Sequence, residues 1–531
     1  MTYFTKPLSL LLAICLTSGC SNPAVTQAPT KAPTTEPTTE PTTTPTTAAA
    51  ETEAKKRPNI LWIFVEDISP HLGSDGQSLV HTPTLDELAN SGSKFTNTIM
   101  PAPVCSAGRS ALMTGMMQTS LGVHNHHSAR TDAAAFHLPD HIKTLPELFK
   151  QAGYFTFNSG KDDYNFTYDR KDLYEGSYAE HPLYGKSGVA IDWNARSDKD
   201  QPFFGQIQLK GGKHIFNSKF KDKVQRPIDR SKITLPPYYP NDPVVVEQWA
   251  RYLESLQITD REVKGILQRL EHDGELDNTL VMFFADHGMR FLRHKQFLYE
   301  GGIKVPFIAY WKGQPQIVTP GSRDELISGL DISATSLGVA GIDIPSWFEG
   351  KNLFDPNYQA KDYVISARDR CDFTIDRIRS VRSKNFKYIR NFLPQRSAMQ
   401  PSYRDEWPMT QVTRKLYQEG KLNDIQAQHF APTRPSEELY DLRNDPDEIV
   451  NLAANPSYRD ELNKHRQTLE RWIVESDDLG QYPEREESLK LMLGIWGDTA
   501  INNEFDALRA KYPDLSGSQY YLKNERFKVV Q

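Results

Sequence analysis

Cysteine is scarce in this chain: Cys15, Cys20, Cys105 and Cys371 are all there is in 531 residues. So few cysteines cannot build a disulfide framework. Positive charge is not in excess either, and a net charge of −6 speaks against a nucleic-acid binder, although local basic patches can still meet an anionic ligand. There is no internal repeat of fixed period. The apolar run near the N-terminus is too short to span a bilayer as a mature helix. What the chain does have is length and apolar content, 38% hydrophobic against 24% charged, enough for a large core in two domains.

The N-terminal "MTYFTKPLSLLLAICLTSGCSNP" carries one lysine, an apolar stretch and small residues before Cys20. This is the layout of an export signal, and "LTSGC" resembles a bacterial lipoprotein box over residues 1–20. Acylation of Cys20 would tether the protein at the outer membrane or in the periplasm without a spanning helix, membrane contact being limited to that anchor. A secreted form without the lipid is the alternative. Residues 21–56, which include "TKAPTTEPTTEPTTTPTT", are rich in Thr and Pro and have no apolar periodicity. They read as an extended spacer.

Cys15 falls in the signal and Cys20 at the lipid site, so only Cys105 and Cys371 remain in the folded part. "RPNILWIFVED" is a continuous apolar run ending in two acids, as expected of a buried parallel strand. "TPTLDELANSG" reads as a helix stopped by glycine. "LPELFKQAGYFTFNSGK" reads as helix, turn and strand, and "PFFGQIQL" as another strand. "PVVVEQWARYLESLQITDREVKGILQRLEHDGELDNTLVMFFADHG" reads as a long amphipathic helix followed by a strand ending at Asp286-His287. "VPFIAYWKG" is a further strand and "DELISGLDISATSLGVAGI" a further helix. Alternating strands and helices predict an α/β domain over 57–355 with a large, mainly parallel sheet flanked by helices. "DYVISARD", "IRSVRSKNFKYIRNF" and "EELYDLRNDPDE" read as shorter strands, and "SYRDELNKHRQTLERWIVES" as a helix. They predict a smaller α+β domain over 356–531.

In an open parallel sheet the ligand site lies beyond the carboxyl ends of the strands. Two strands end there in Glu66-Asp67 and Asp286-His287. Three carboxylates meeting in one cleft repel one another unless a cation neutralises them. Oxygen donors of this kind suit a hard divalent ion such as Ca²⁺ or Mg²⁺. Cys105 opens a predicted helix, "CSAGRSALMTG", whose N-terminal amides favour anions. Arg109, one turn on, faces the same way. A nucleophile, a guanidinium and a helix N-terminus together describe a site for a tetrahedral oxyanion.

"CSAGRSALMTG" resembles the motif of the type I sulfatases, in the alkaline phosphatase superfamily, with Ala107 where most members have proline. "NILWIFVEDISP", "FFADHG", "NSGKDDYNF", "HKQFLYEGGIKVPFI" and "ELYDLRNDPDEIVNLA" are similar to further segments of that family. The resemblance implies an alkaline phosphatase-like fold and oxidation of Cys105 to formylglycine by a formylglycine-generating maturation enzyme. It also implies one Ca²⁺ per chain, with Mg²⁺ or Mn²⁺ as second choices, held by Glu66, Asp67, Cys105, Asp286 and His287. Arg109, Lys161 and Lys295 are implied to bind the sulfate, and His214, in "KGGKHI", to protonate the leaving group. In the implied mechanism one hydroxyl of the hydrated aldehyde attacks sulfur and the other expels sulfate. Asp163 stands where the family has a second histidine.

Within the family the chain looks most like the N-sulfoglucosamine sulfohydrolases and related bacterial polysaccharide sulfatases. The implied substrate is a sulfated oligo- or polysaccharide, attacked at a sulfate ester or a sulfamate. A phosphatase or phosphonate monoester hydrolase of the same superfamily, or a non-catalytic glycan-binding lipoprotein, are the alternatives. His124, His126 and His127 in "GVHNHHSAR" read either as a polar loop at the cleft mouth or as substrate contacts. Arg368, Arg370 and Arg377 read either as a grip for a polyanionic glycan or as internal ion pairs.

Overall fold

Two sheets, one of nine strands and one of four, organise the protein. The computed structural model describes residues 56–128, 134–181 and 185–515. The export signal, Cys20 and the spacer up to residue 55 lie outside them. The strands of the large sheet are β1 (Asn59–Val65), β2 (Ser93–Ile99), β3 (Phe155–Lys161), β4 (Tyr178–His181), β5 (Gly185–Gly188), β6 (Phe203–Leu209), β7 (Thr279–Ala285), β8 (Lys304–Tyr310) and β9 (Gly321–Ser328). They lie in the order β4-β5-β3-β6-β1-β7-β8-β2-β9.

The central four, β3, β6, β1 and β7, are mutually parallel. Only β5 and β8 run against the rest. β1 and β7 are buried along their whole length, which is why both read as unbroken apolar runs rather than alternating ones. Helices α1 (Pro83–Ser91), α2 (Cys105–Thr114), α3 (Leu145–Gln151), α4 (Pro243–His272) and α5 (Gly329–Val339) accompany this sheet. Among the described residues no helix is long and apolar enough to cross a membrane.

The segment "DELISGLDISATSLGV" departs from its expected all-helical reading. Its first half is β9, paired parallel to β2, and only the part from Gly329 is helical. Ser328 caps α5 by accepting from the Leu330 amide. An apolar stretch of this length does not separate strand from helix by periodicity alone.

The second sheet is antiparallel and made of β10 (Tyr363–Arg368), β11 (Ile378–Ser383), β12 (Phe386–Asn391) and β13 (Glu437–Asp441), with α6 (Arg459–Glu475) packed against it. Shared apolar clusters join the two sheets. Ala111 and Leu330 pack with Ile365, Ala367 and Val381, and Ile99, Leu298 and Leu326 pack with Val364, Ile378 and Ile389. A later helix, α7 (Glu486–Trp496), carries Trp496 to the mouth of the site described next.

Candidate active site

The carboxyl ends of β1 and β7 are neighbours, Val65 pairing in register with Ala285. The residues that follow, Glu66-Asp67 and Asp286-His287, therefore emerge side by side. The Asp286 amide donates to the Val65 carbonyl at 3.0 Å, and the Asp67 amide to Asp286 Oδ1 at 3.2 Å. Asp67 sits at φ 57°, a left-handed conformation that turns its carboxylate back toward β7. Helix α2 delivers the thiol: Cys105 is its first residue, after Val104 in extended conformation.

Cys105 Sγ lies 3.0 Å from His287 Nε2 and 3.1 Å from Lys295 Nζ. Lys295 Nζ also lies 3.1 Å from Asp67 Oδ1. Asp67, Cys105 and His287 offer ligand atoms within 4.8 Å of one another, and Glu66, Cys105 and Asp286 do the same. Residues from three distant segments, around positions 66, 105 and 286–295, thus converge on one point.

The donor set fits a divalent cation. The buried carboxylates of Asp67 and Asp286 lie 3.4 and 3.6 Å from His287 Nε2, Glu66 is grouped with Cys105 and Asp286, and Asp67 Oδ2 is buried without a hydrogen-bond partner. The tautomer of His287 follows from its other contact. Nδ1 faces the Gly288 carbonyl at 2.8 Å and so carries the proton, which leaves the Nε2 lone pair directed into the cluster.

The site is strongly electropositive around these acids. Burial would push the Cys105 thiol up, but Lys161, Lys295 and Lys213 overcome it and bring it down to about 6. Burial acts likewise on Asp67, where Lys295 and Lys213 prevail and hold its carboxyl well below the usual range. Glu66 Oε1 is shared by Lys161 and Lys213, each at 2.7 Å, and its carboxyl too lies below the usual range, burial being outweighed by these cations and Arg109.

The three expected sulfate contacts are not placed alike. Lys161 and Lys295 line a cavity of about 550 Å³ above Cys105. Arg109 does not. Its guanidinium stacks over Phe64 at 4.3 Å and reaches Asp286 Oδ2 at 3.3 Å and Gln208 Oε1 at 2.8 Å. It braces the carboxylates from beneath.

His214, expected at the leaving group, is turned away from the cavity. Its Nε2 meets Glu262 on α4 at 3.0 Å, and its neighbour Lys213 takes the place over the site. The cause is local. After β6 the chain runs through Gly211 and Gly212, where a Cβ would sit 2.2 Å from the carbonyl oxygens of Glu66 and Asp67 respectively. That close approach, sealed by the Gly212 amide donating to Glu66 at 2.9 Å, fixes which of the next two side chains faces inward.

A second cluster borders the cavity. His126 Nδ1 lies 2.7 Å from Ser106 Oγ, and its ring stacks on His127 with centroids 3.5 Å apart. His127 Nδ1 meets Asp372 at 3.1 Å, and Asp163 bonds Lys161 at 2.7 Å. His127, Asp163 and Asp372 all sit at positive φ, as strained backbone around a site often does. His126 and His127 thus line the cavity while His124 does not. Asp163, Lys213, Arg290, Asp372, Tyr403 and Trp496 were not readable as one site, because they come from separate loops, short 3-10 turns and the end of α7 that share no periodicity.

Arg368 and Arg370 make internal ion pairs, with Asp376 at 2.9 Å and Glu484 at 2.6 Å. Arg377 stacks on Phe392 instead. None of the three lines the cavity. A separate cleft of about 670 Å³, between β11–β12 and α6, contains none of the residues of this site.

Comparison with known proteins identifies the family. The family model described as Sulfatase matches residues 58–342. An "Ulvan-active sulfatase" from Formosa agariphila is 32% identical over 489 residues, covering 84% of this chain and 80% of that protein. The human "N-sulphoglucosamine sulphohydrolase" is 26% identical, covering 80% of this chain and 91% of its own. The solved structure of a "2-O GAG sulfatase" superposes with a TM-score of 0.59 at 21% identity, over 81% of this chain and 94% of that one.

Proposed function

Because the chain belongs to the sulfatase family, we propose that this hydrolase cleaves sulfate esters or sulfamates of a sulfated carbohydrate with Cys105, as formylglycine, at its centre. The observation that carries the reading is the position of Cys105. Its sulfur touches Lys295 and His287 at the floor of a cavity whose lining includes four lysines, above a carboxylate cluster suited to a divalent ion. Relatives named for ulvan and for N-sulphoglucosamine support the choice of a saccharide.

Formylglycine at position 105, once hydrated, supplies one hydroxyl as nucleophile and a second with which to release the product. A Ca²⁺ ion held by Glu66, Asp67, Asp286 and His287 would supply Lewis acidity there. The protein's own groups do the rest. Lys161 and Lys295 are placed to absorb charge on the non-bridging sulfate oxygens, in a site whose cations are held by fixed partners and need not reorganise. Arg109 keeps Asp286 and Glu66 in position. Proton delivery to the leaving group falls to a group lining the cavity, Lys213 or His126, rather than to His214.

Export as a lipoprotein tethered through Cys20 is part of the same proposal, and radiolabelled palmitate incorporation lost in Cys20→Ser checks it. For the function, the peptide holding Cys105 should be weighed and sulfate release screened on defined sulfated oligosaccharides. Conversion replaces H₂S by one oxygen, and the mass falls accordingly. A persistent thiol together with undiminished sulfate release would overturn the reading.

A further inference from the structure

The cations of the cavity are not all alike. Lys161, Lys213 and Lys295 each hold a carboxylate of the site, and the fourth lysine of the lining, Lys210, is an exposed side chain. Arg290, which follows β7 and lines the same cavity, holds none. Among the described residues no carboxylate comes within ion-pair distance of its guanidinium and no hydrogen bond reaches it; its Nε is buried without a partner. The group is nevertheless fixed. Its central carbon lies 3.6 Å from the ring centroid of Phe216 and 3.9 Å from that of Trp407.

Those two rings come from widely separated segments of the chain. Phe216 follows β6, and Trp407 precedes the helix Pro408–Gln418. Stacking on aromatic faces satisfies the flat faces of a guanidinium and leaves its in-plane N–H edge unused. The terminal nitrogens, unlike Nε, retain accessible surface. An aromatic wall continues beside it: Trp407 meets Tyr403 edge-on at 5.4 Å, Tyr403 stacks with Trp496 at 6.3 Å, and Tyr403 and Trp496 line the cavity.

We propose that Arg290 is a specificity-determining residue that pairs with a carboxylate of the substrate, so that the saccharide carries a uronic acid at or next to the sulfated unit. The inference rests on the reading of the cavity as a sulfated-saccharide site. A planar fork with an open edge matches a planar carboxylate through two parallel hydrogen bonds, whereas Lys161 and Lys295 serve the tetrahedral sulfate as point charges. The aromatic wall offers a face on which the sugar ring carrying that carboxylate can lie.

The test compares a sulfated, uronate-containing oligosaccharide with its carboxyl-reduced counterpart of identical sulfation. The wild-type protein should prefer the acid by at least about tenfold in kcat/KM, expressed mainly in KM, the worth of about 1.4 kcal/mol. In Arg290→Gln that preference should fall toward unity, and Arg290→Lys, which keeps charge but loses the fork, should lie between. Equal wild-type rates on the two saccharides, a preference unchanged in Arg290→Gln, or a preference that tracks a second sulfate instead of the carboxylate would each overturn the proposal. Calorimetric binding of the same pair to Cys105→Ala reads it without turnover. Carboxylate-selective binding with no sulfate release by the wild type would sink the sulfatase reading and leave this inference standing. Equal affinities would sink this inference whatever the turnover.

Discussion

Cys105 and His287 stand 3.0 Å apart, sulfur to Nε2, although 182 residues separate them in the chain. The contact joins the N-terminus of α2 to the end of β7 and places a prospective electrophile against a prospective metal ligand. If the cluster binds a divalent ion in the folded state alone, the ion stabilises the fold by mass action, about 2.7 kcal/mol at a hundredfold excess over Kd. Exhaustive chelation should therefore lower the thermal midpoint, and Ca²⁺ should restore it. In Asp67→Asn the Ca²⁺-dependent part of the shift should shrink, which differential scanning fluorimetry reads directly.

Cys105→Ala removes the nucleophile and should abolish sulfate release. Lys295→Ala removes one charge-stabilising donor and should leave a remnant, about 10²–10³ below wild type. Ion chromatography of released sulfate distinguishes the two. Equal residual rates would mean that position 105 carries no covalent step.

Much of this arrangement was legible in the sequence, and the rest was not, for identifiable reasons. β1 and β7 are buried on both faces, so each appears as a continuous apolar run, and the acids that end them mark the ligand edge of the sheet. Cys105 opening a helix was readable from "CSAGRSALMTG" because the stretch runs to a glycine stop, and Gly115 indeed closes α2 at φ 71°. The orientation of His214 was not readable. It depends on a short turn in which two glycines press against the backbone of β1's end, and such a turn has no periodicity to reveal which side chain points inward. The arginines of the second sheet were ambiguous because partners such as Glu484 lie more than a hundred residues away.

The inward residue of that turn is Lys213, so its loss should matter more than that of His214. Lys213→Ala frees Glu66 of one of its two lysines and removes a cavity cation. His214→Ala cuts only the link to Glu262 on α4. In kcat/KM, Lys213→Ala should fall at least about tenfold below His214→Ala. If Lys213 or His126 delivers the leaving-group proton, its alanine variant should lose poor leaving groups preferentially across a series of sulfate esters of graded leaving-group pKa. A flat dependence in both variants would assign proton delivery elsewhere.

Arg379 shows how the second sheet is tied to the chain beyond α6. Its Nε and Nη2 meet both oxygens of Asp478 at 2.8 Å, and a second pairing reaches Asp369, with the arginine and Asp478 fully buried. Removing one member strands a buried charge, so Asp478→Ala should cost about 3–5 kcal/mol in urea unfolding. Replacing the exposed partner of a surface pair, as in Lys384→Ala, should cost less than about 1 kcal/mol.

Buried histidines give the fold an acid limit apart from the active site. His294, 2% exposed and set against Tyr239, is pushed by burial down to about 3, and burial holds His429 well below the ordinary value as well. Both are neutral in the folded protein, while the unfolded chain takes up protons below about pH 6.5. Their contribution is therefore complete above that pH and is lost as pH falls from about 6.5 toward the depressed folded values, by up to about 1.4 kcal/mol per pH unit for each residue. Urea midpoints measured between about pH 7 and about pH 5 should decline, and His294→Gln, whose side chain does not titrate, should flatten the decline by its single-residue share. A slope identical in wild type and variant would mean that His294 is already protonated in the folded state, against its enclosure by Tyr239 and the Leu292 carbonyl.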